Sequence, residues 1–161
     1  MRYARWLATV GVGMLVLLPA TARSHEHSKL PPGPIRDRHE LMMAIGDQAQ
    51  NINDAFKVGS EGFDTGIIQR SADAIAMSAH RIPDLFPKGS TDPNSRALPD
   101  IWEKWDGFVQ LSKQLEDQAQ SLSRAAGSGN DEKLKEKADK MFATCKACHD
   151  HFRRPEKKKA S

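Results

Sequence analysis

The chain reads as an all-α protein, an antiparallel up-down-up-down four-helix bundle. Three observations predict it. Apolar residues recur at steps of three and four in four separate stretches, the spacing of one helix face. Glycines punctuate the chain between the first and second stretches and between the third and fourth, while a proline-rich connection separates the middle pair. No segment alternates apolar and polar as a half-buried strand would, and no repeat of solenoid length is present. Helices joined in this order pack most simply as antiparallel neighbours.

The ends are set aside first. Residues 1–22 read as an export signal: Arg2 and Arg5 open it, Leu7 to Leu18 is apolar, and Ala20-Thr21-Ala22 is a small-residue cleavage site. The apolar run is about a dozen residues, short of the ~20 that span a bilayer. No stable membrane insertion is therefore expected after cleavage, and the address is periplasmic. Without those residues the basic count falls from 24 to 22 against 21 acidic residues. A near-neutral chain gives no electrostatic support to nucleic-acid binding; only Lys157 to Lys159 cluster. Residues 23–34, with His25, His27 and three prolines, read as a disordered leader, and residues 155–161 as a basic disordered tail. One domain, 35–154, is left between them, long enough for one core.

The first helix is expected from about Ile35 to Phe56, with Met42, Ile45, Ala49, Ile52 and Phe56 as its seam. Gly59, Gly62 and Gly66 follow, and Asp64 is the expected N-cap of the second helix, Thr65 to Arg81. Its seam is thin: Ile68, Ser71, Ile75, Ser78 and Ile82. Met77 is assigned to the core. Pro83 stops the helix, and a long connection runs to Pro99. So long a loop in a small domain is functional or packed by its own side chains; Leu85 and Phe86 are expected against one end of the core.

The third helix is expected to start at Asp100, with Glu103 completing a capping box. Ile101 and Trp102 pack its first turn, and Trp105, Phe108, Leu111, Leu115 and Leu122 face inward. Gly127-Ser128-Gly129 ends it. The fourth runs from Asn130 or Asp131 to about Arg153 along Leu134, Ala138, Met141, Cys145, Cys148 and Phe152. In the antiparallel order, the N-terminal half of the first helix lies beside the C-terminal half of the fourth.

That last seam carries the chemistry. Cys145-Lys146-Ala147-Cys148-His149 is a C-x-x-C-H run, the attachment signature of a c-type haem. Two thiols three apart on a helix share nearly one face, so each can add to one porphyrin vinyl group. The next residue, His149, is then held under the ring, where its imidazole can bind iron. A zinc site wants about four ligands, usually two Cys/His pairs, and the chain has only these two cysteines. A thioredoxin-like pair expects a βαβ setting, and a plain disulfide has no use for His149. Because both cysteines lie on an apolar seam, the haem is expected inside the bundle.

With the motif placed, the chain resembles the class II c-type cytochromes, the cytochrome c′ family. The resemblance spans most of the chain. It rests on Arg38-x-x-Leu41-Met42, Phe86-Pro87-x-Gly89-Ser90, Ile101-Trp102 and Cys145-x-x-Cys148-His149-x-x-Phe152-Arg153. It implies one haem c on two thioethers and His149 as the proximal iron ligand. It also implies that Met42 covers or binds the iron from the distal side, and that Arg38 bonds a haem propionate. In the low-spin branch of the family the distal Met binds iron and the protein carries electrons. In the high-spin branch a helix-one side chain only blocks the sixth position, and nitric oxide or carbon monoxide binds there.

The residues themselves leave rivals to Met42. A Met on an apolar seam is most often a gap-filler. Met43 is turned about 100° away, and His39 lies one turn earlier. Arg38 read alone is a solvated charge, Arg153 sits one turn past His149, and His80 and His151 have no assigned partner. Expected, then, is an electron carrier and not an enzyme, since peroxide chemistry wants a placed distal acid–base group. Its partners are transient redox proteins, and it is a monomer or a homodimer. The resemblance implies that a pair would form through helices one and two, as high-spin members often do, and Gly46 and the small residues of helix two permit it.

Overall fold

The computed structural model describes residues 30, 32–57, 63–128 and 131–155. The export signal, most of the leader, the basic tail beyond Pro155, Gly59 and Gly62 lie outside the described residues. The described chain is helical: α1 is Pro34–Ala55, α2 is Thr65–His80, α3 is Asp100–Glu103, α4 is Trp105–Ala126 and α5 is Asp131–Phe152. A 3-10 turn, Pro83–Leu85, follows α2. No described helix is long and apolar enough to cross a membrane.

The seams became the core. Ile45 and Ile52 of α1, Ile68, Ala72, Ile75 and Ala79 of α2, Phe108, Leu115, Ala119 and Leu122 of α4, and Leu134, Ala138 and Met141 of α5 are buried together. Small residues let α2 approach closely: Ser112 Oγ of α4 donates to the Ala79 carbonyl at 2.7 Å. At the start of α2, Asp64 accepts from the Ile67 N–H at 2.9 Å, so the expected cap is present.

Three details differ from expectation. Met77 is 74 % exposed. It lies two residues past Ile75, about 200° around the helix, so it points away from the seam. The third helix is broken: Lys104 leaves helical geometry at φ −118° and ψ 43°, separating α3 from α4. Trp105 therefore opens a new helix and stays 37 % exposed, although its ring lies 5.5 Å from that of Phe108. Asp100 caps nothing. Pro99 holds the cap position, and the Asp100 carboxylate instead pairs with Lys104 Nζ at 2.9 Å.

The connection 83–99 is pinned on both sides. Phe86 is buried, with its ring 4.8 Å from Phe108, and the Trp102 indole N–H donates to the Phe86 and Pro87 carbonyls at 3.0 and 3.1 Å. Pro87 to Ser90 closes a turn through Ser90 N–H to the Pro87 carbonyl at 3.1 Å; Gly89 has φ +80°, the left-handed conformation this turn requires. Further on, Ala97 and Arg153 form an isolated antiparallel bridge, with Leu98 N–H on the Phe152 carbonyl at 3.0 Å and Arg154 N–H on the Arg96 carbonyl at 2.8 Å.

Helix packing runs in chain order: α1 on α2, α2 on α4, α4 on α5. Among the described residues α1 and α5 make little close backbone approach. The ends of the first and last long helices meet at the connection 83–99, the end of the bundle where they are expected side by side.

Candidate functional site

Two helices and one loop build the site. On α5 the seam delivers Cys145 and Cys148 half-buried, both packed against the core and neither in a disulfide. Burial raises both thiol pKa values. For Cys148 the neighbouring Cys145 adds to desolvation and Arg153 opposes it, leaving the thiol pushed up to about 11. The thiolate is the reacting form, so a raised pKa suppresses reactivity below it. In the haem-free full-length chain, iodoacetamide should modify Cys148 at pH 8 at least about tenfold more slowly than in urea, with the gap closing as the pH approaches 11. Mass mapping of the labelled peptide against pH checks this; equal rates would place the thiol in water.

His149 is half-buried beside them. Desolvation lowers its pKa first, and the positive charges of Arg153 and Arg96 lower it further against an opposing effect of Asp150. The imidazole is thereby kept neutral, the form with a lone pair for a metal. Lys146 and Asp150 pair on the outer face of the same helix. Two arginines from different elements thus lie on the His149 side of the site.

On α1, Leu41 and Met42 are half-buried and packed against the core. Met43 is 48 % exposed and His39 is exposed. Of the three rival distal groups, only Met42 faces inward. One turn earlier Arg38 is 4 % exposed, far from a solvated charge. It donates to Ser90 Oγ and to the Ser90 carbonyl at 2.8 Å each and to Ser95 Oγ at 3.0 Å, and its guanidinium lies 4.8 Å from the Phe86 ring centre. Burial lowers its pKa, and the Asp92 charge partly offsets this. These bonds leave part of its five-donor fork for a further acceptor.

Arg38 and Arg154 grip the same loop residue, Ser95. The Arg38 end of α1 and the C-terminal end of α5 therefore lie at one end of the bundle, with Met42 one turn in from Arg38 and His149 five residues before Arg154. By contrast, an open groove of about 650 Å³ along the outer face of α4, lined by Trp105, Val109 and Lys113, holds none of these groups.

The family model for cytochrome c′ matches residues 33–153, the span that contains Arg38, Met42, Ser95, Cys145, Cys148 and His149. The chain belongs to the cytochrome c′ family. It is 35 % identical over 121 residues to cytochrome c′ of Rhodopseudomonas palustris, across 74 % of this chain and 80 % of that protein. It is 31 % identical over 143 residues to cytochrome c-554 of Cereibacter sphaeroides, across 86 % and 90 %. The solved structure of the Rhodopseudomonas palustris cytochrome c′ superposes with a TM-score of 0.69 at 32 % identity, covering 79 % of this chain and 100 % of that one. A cytochrome c′ carries covalent haem c, so this chain is a c-type haem protein with a four-helix bundle fold. The residues present fit that group: two half-buried thiols one turn apart on an inner face, a neutral imidazole next to them, and a thioether facing inward from another helix.

Proposed function

We propose that the chain is an exported, periplasmic electron carrier in which residues 35–154 form the haem domain and residues 1–22 the export signal. Cys145 and Cys148 would tether the haem, and His149 and Met42 would hold its iron. The observation that carries this reading is that Met42 packs inward while Met43 and His39 are exposed. When bound, the haem supplies an iron that passes between ferrous and ferric states. The thioether of Met42 is a soft donor that favours the ferrous state, and the half-buried setting opposes a change in net charge. With Met42 and His149 as its two protein ligands, the iron would need no substrate to reach it. Arg38 offers its remaining donors to a propionate, for which a guanidinium fork is suited. His39, the acid–base group nearest Met42 on α1, is exposed, which favours electron transfer over catalysis.

Partners of such a carrier are other redox proteins that dock weakly over a small area. A homodimer through α1 and α2 is supported by the exposed Met43 and Met77 on those helices; a related cytochrome c′ is described as having an unusual ligand-controlled dimer dissociation.

A second reading has one observation in its favour: a mutant cytochrome c prime from Alcaligenes xylosoxidans has been solved as a nitric oxide complex. In that reading Met42 only fills the distal side, and nitric oxide or carbon monoxide displaces packing rather than a bond. Absorption spectra of the purified oxidised and reduced protein separate the two. Low-spin bands in both states are expected; high-spin bands would overturn the carrier and favour the gas binder.

A further inference from the structure

One loop residue bonds to α1 and to the segment just past α5, and these two helices carry the candidate iron ligands. Ser95 Oγ accepts the Arg38 bond at 3.0 Å and a second from the Ala97 N–H at 3.3 Å. Its carbonyl accepts from the Arg154 guanidinium, and its own N–H donates to the Asp92 carbonyl at 3.0 Å. The residue is only 9 % exposed, and each of its polar groups has a partner. Arg38 belongs to α1, and Arg154 lies two residues past the end of α5. α1 and α5 make little close backbone approach of their own, and the bonds through this loop link them at this end.

We propose that Ser95 is a positioning residue that ties the Met42 helix to the His149 helix and so sets how firmly Met42 is held over the iron. The inference rests on Met42 lying over the iron, as proposed above. Ser90 and Phe86 hold the Arg38 guanidinium from the same loop, so a pull on α1 is passed to the loop through several bonds at once. The loop passes it to α5 through Arg154 and through the Leu98–Phe152 and Arg154–Arg96 backbone bonds. Loss of the Ser95 hydroxyl removes one of the three Arg38 bonds and loosens the first turns of α1. Met42 then leaves the iron for a larger share of the time, and an added ligand competes more easily for the sixth position.

The test measures carbon monoxide affinity of the ferrous haem-loaded full-length protein, alongside the ferric spectrum, for Ser95→Ala, Ser95→Thr, Arg154→Gln and the Ser95→Ala/Arg154→Gln pair. Ser95→Ala and Arg154→Gln should each raise the affinity about fivefold, with a partial shift of the ferric spectrum towards high spin. Ser95→Thr keeps the hydroxyl and should stay near wild type. The double variant should fall short of the product of the single effects, because both act on one tie. If Ser95→Ala and Arg154→Gln keep the wild-type affinity and spectrum, or if Ser95→Thr behaves as Ser95→Ala does, the proposal is wrong. Should Ser95→Ala not load haem, the contrast of Arg154→Gln with Ser95→Thr decides. The ligand reading of Met42 fails by a different sign, a high-spin wild type. The tie would still alter carbon monoxide affinity then, because Met42 covers the same position.

Discussion

Changing Cys145 and Cys148 together to serine should abolish covalent haem, and changing either alone should leave a single thioether. A thioether needs a thiol, and a serine hydroxyl does not add to a vinyl group under the same conditions. These are the only two cysteines in the chain, so no other residue can substitute. The loss reaches beyond the cofactor. Both side chains pack against the core beside Met141 and Phe152, so serine also puts a hydroxyl on the inner face of α5. Haem retained after denaturation and solvent extraction, read by mass spectrometry, measures the effect. The double variant is expected to release all of it and each single variant to retain it. Covalent haem on the double variant would place the attachment elsewhere.

Met42→Ala is expected to have the next largest effect. It removes the thioether from the only one of the three rival distal side chains that packs inward. The ferric and ferrous spectra should change from low-spin to high-spin, carbon monoxide affinity should rise, and the reduction potential should fall with loss of the soft donor. The packing cost is smaller: Met42 is half-buried, so about 2 kcal/mol, the low end for a Met truncation, is the expected loss. Met43→Ala and His39→Ala serve as comparisons and should leave the spectra alone, since both residues face outward. An unchanged spectrum in Met42→Ala would return this residue to ordinary packing.

The helices were legible because periodicity is a local property. Ile52, Ile68, Ile75, Leu122, Leu134 and Met141 lie where the three–four spacing puts them, each fully buried. The C-x-x-C-H run was legible for a similar reason: its chemistry depends on neighbours in sequence. What escaped depends on residues distant in sequence. Arg38 lies on the face of Met42, but a charged side chain read alone belongs in water; it is buried by bonds to Ser90 and Ser95, more than fifty residues away. Nothing local marks Ser95 or Arg154 as its partners. The Asp92-Pro93-Asn94 turn, in which the Asn94 N–H donates to the Asp92 carboxylate at 2.7 Å, gives the stretch before Ser95 a fixed shape but names no partner for it. The break at Lys104 was hidden too, because the apolar spacing runs across it from Ile101 to Phe108. Met77 was misplaced by residue type where helical angle should have decided.

The central claim is that Met42 and His149 hold one iron between α1 and α5. Proton and carbon NMR of the ferrous protein with methyl-labelled methionine tests it most directly, because a methyl group over the haem face is shifted far upfield by the ring current. One such resonance is predicted, absent from Met42→Leu and unaffected in Met43→Leu. A ferrous spectrum with every methionine methyl at its ordinary position would contradict the account.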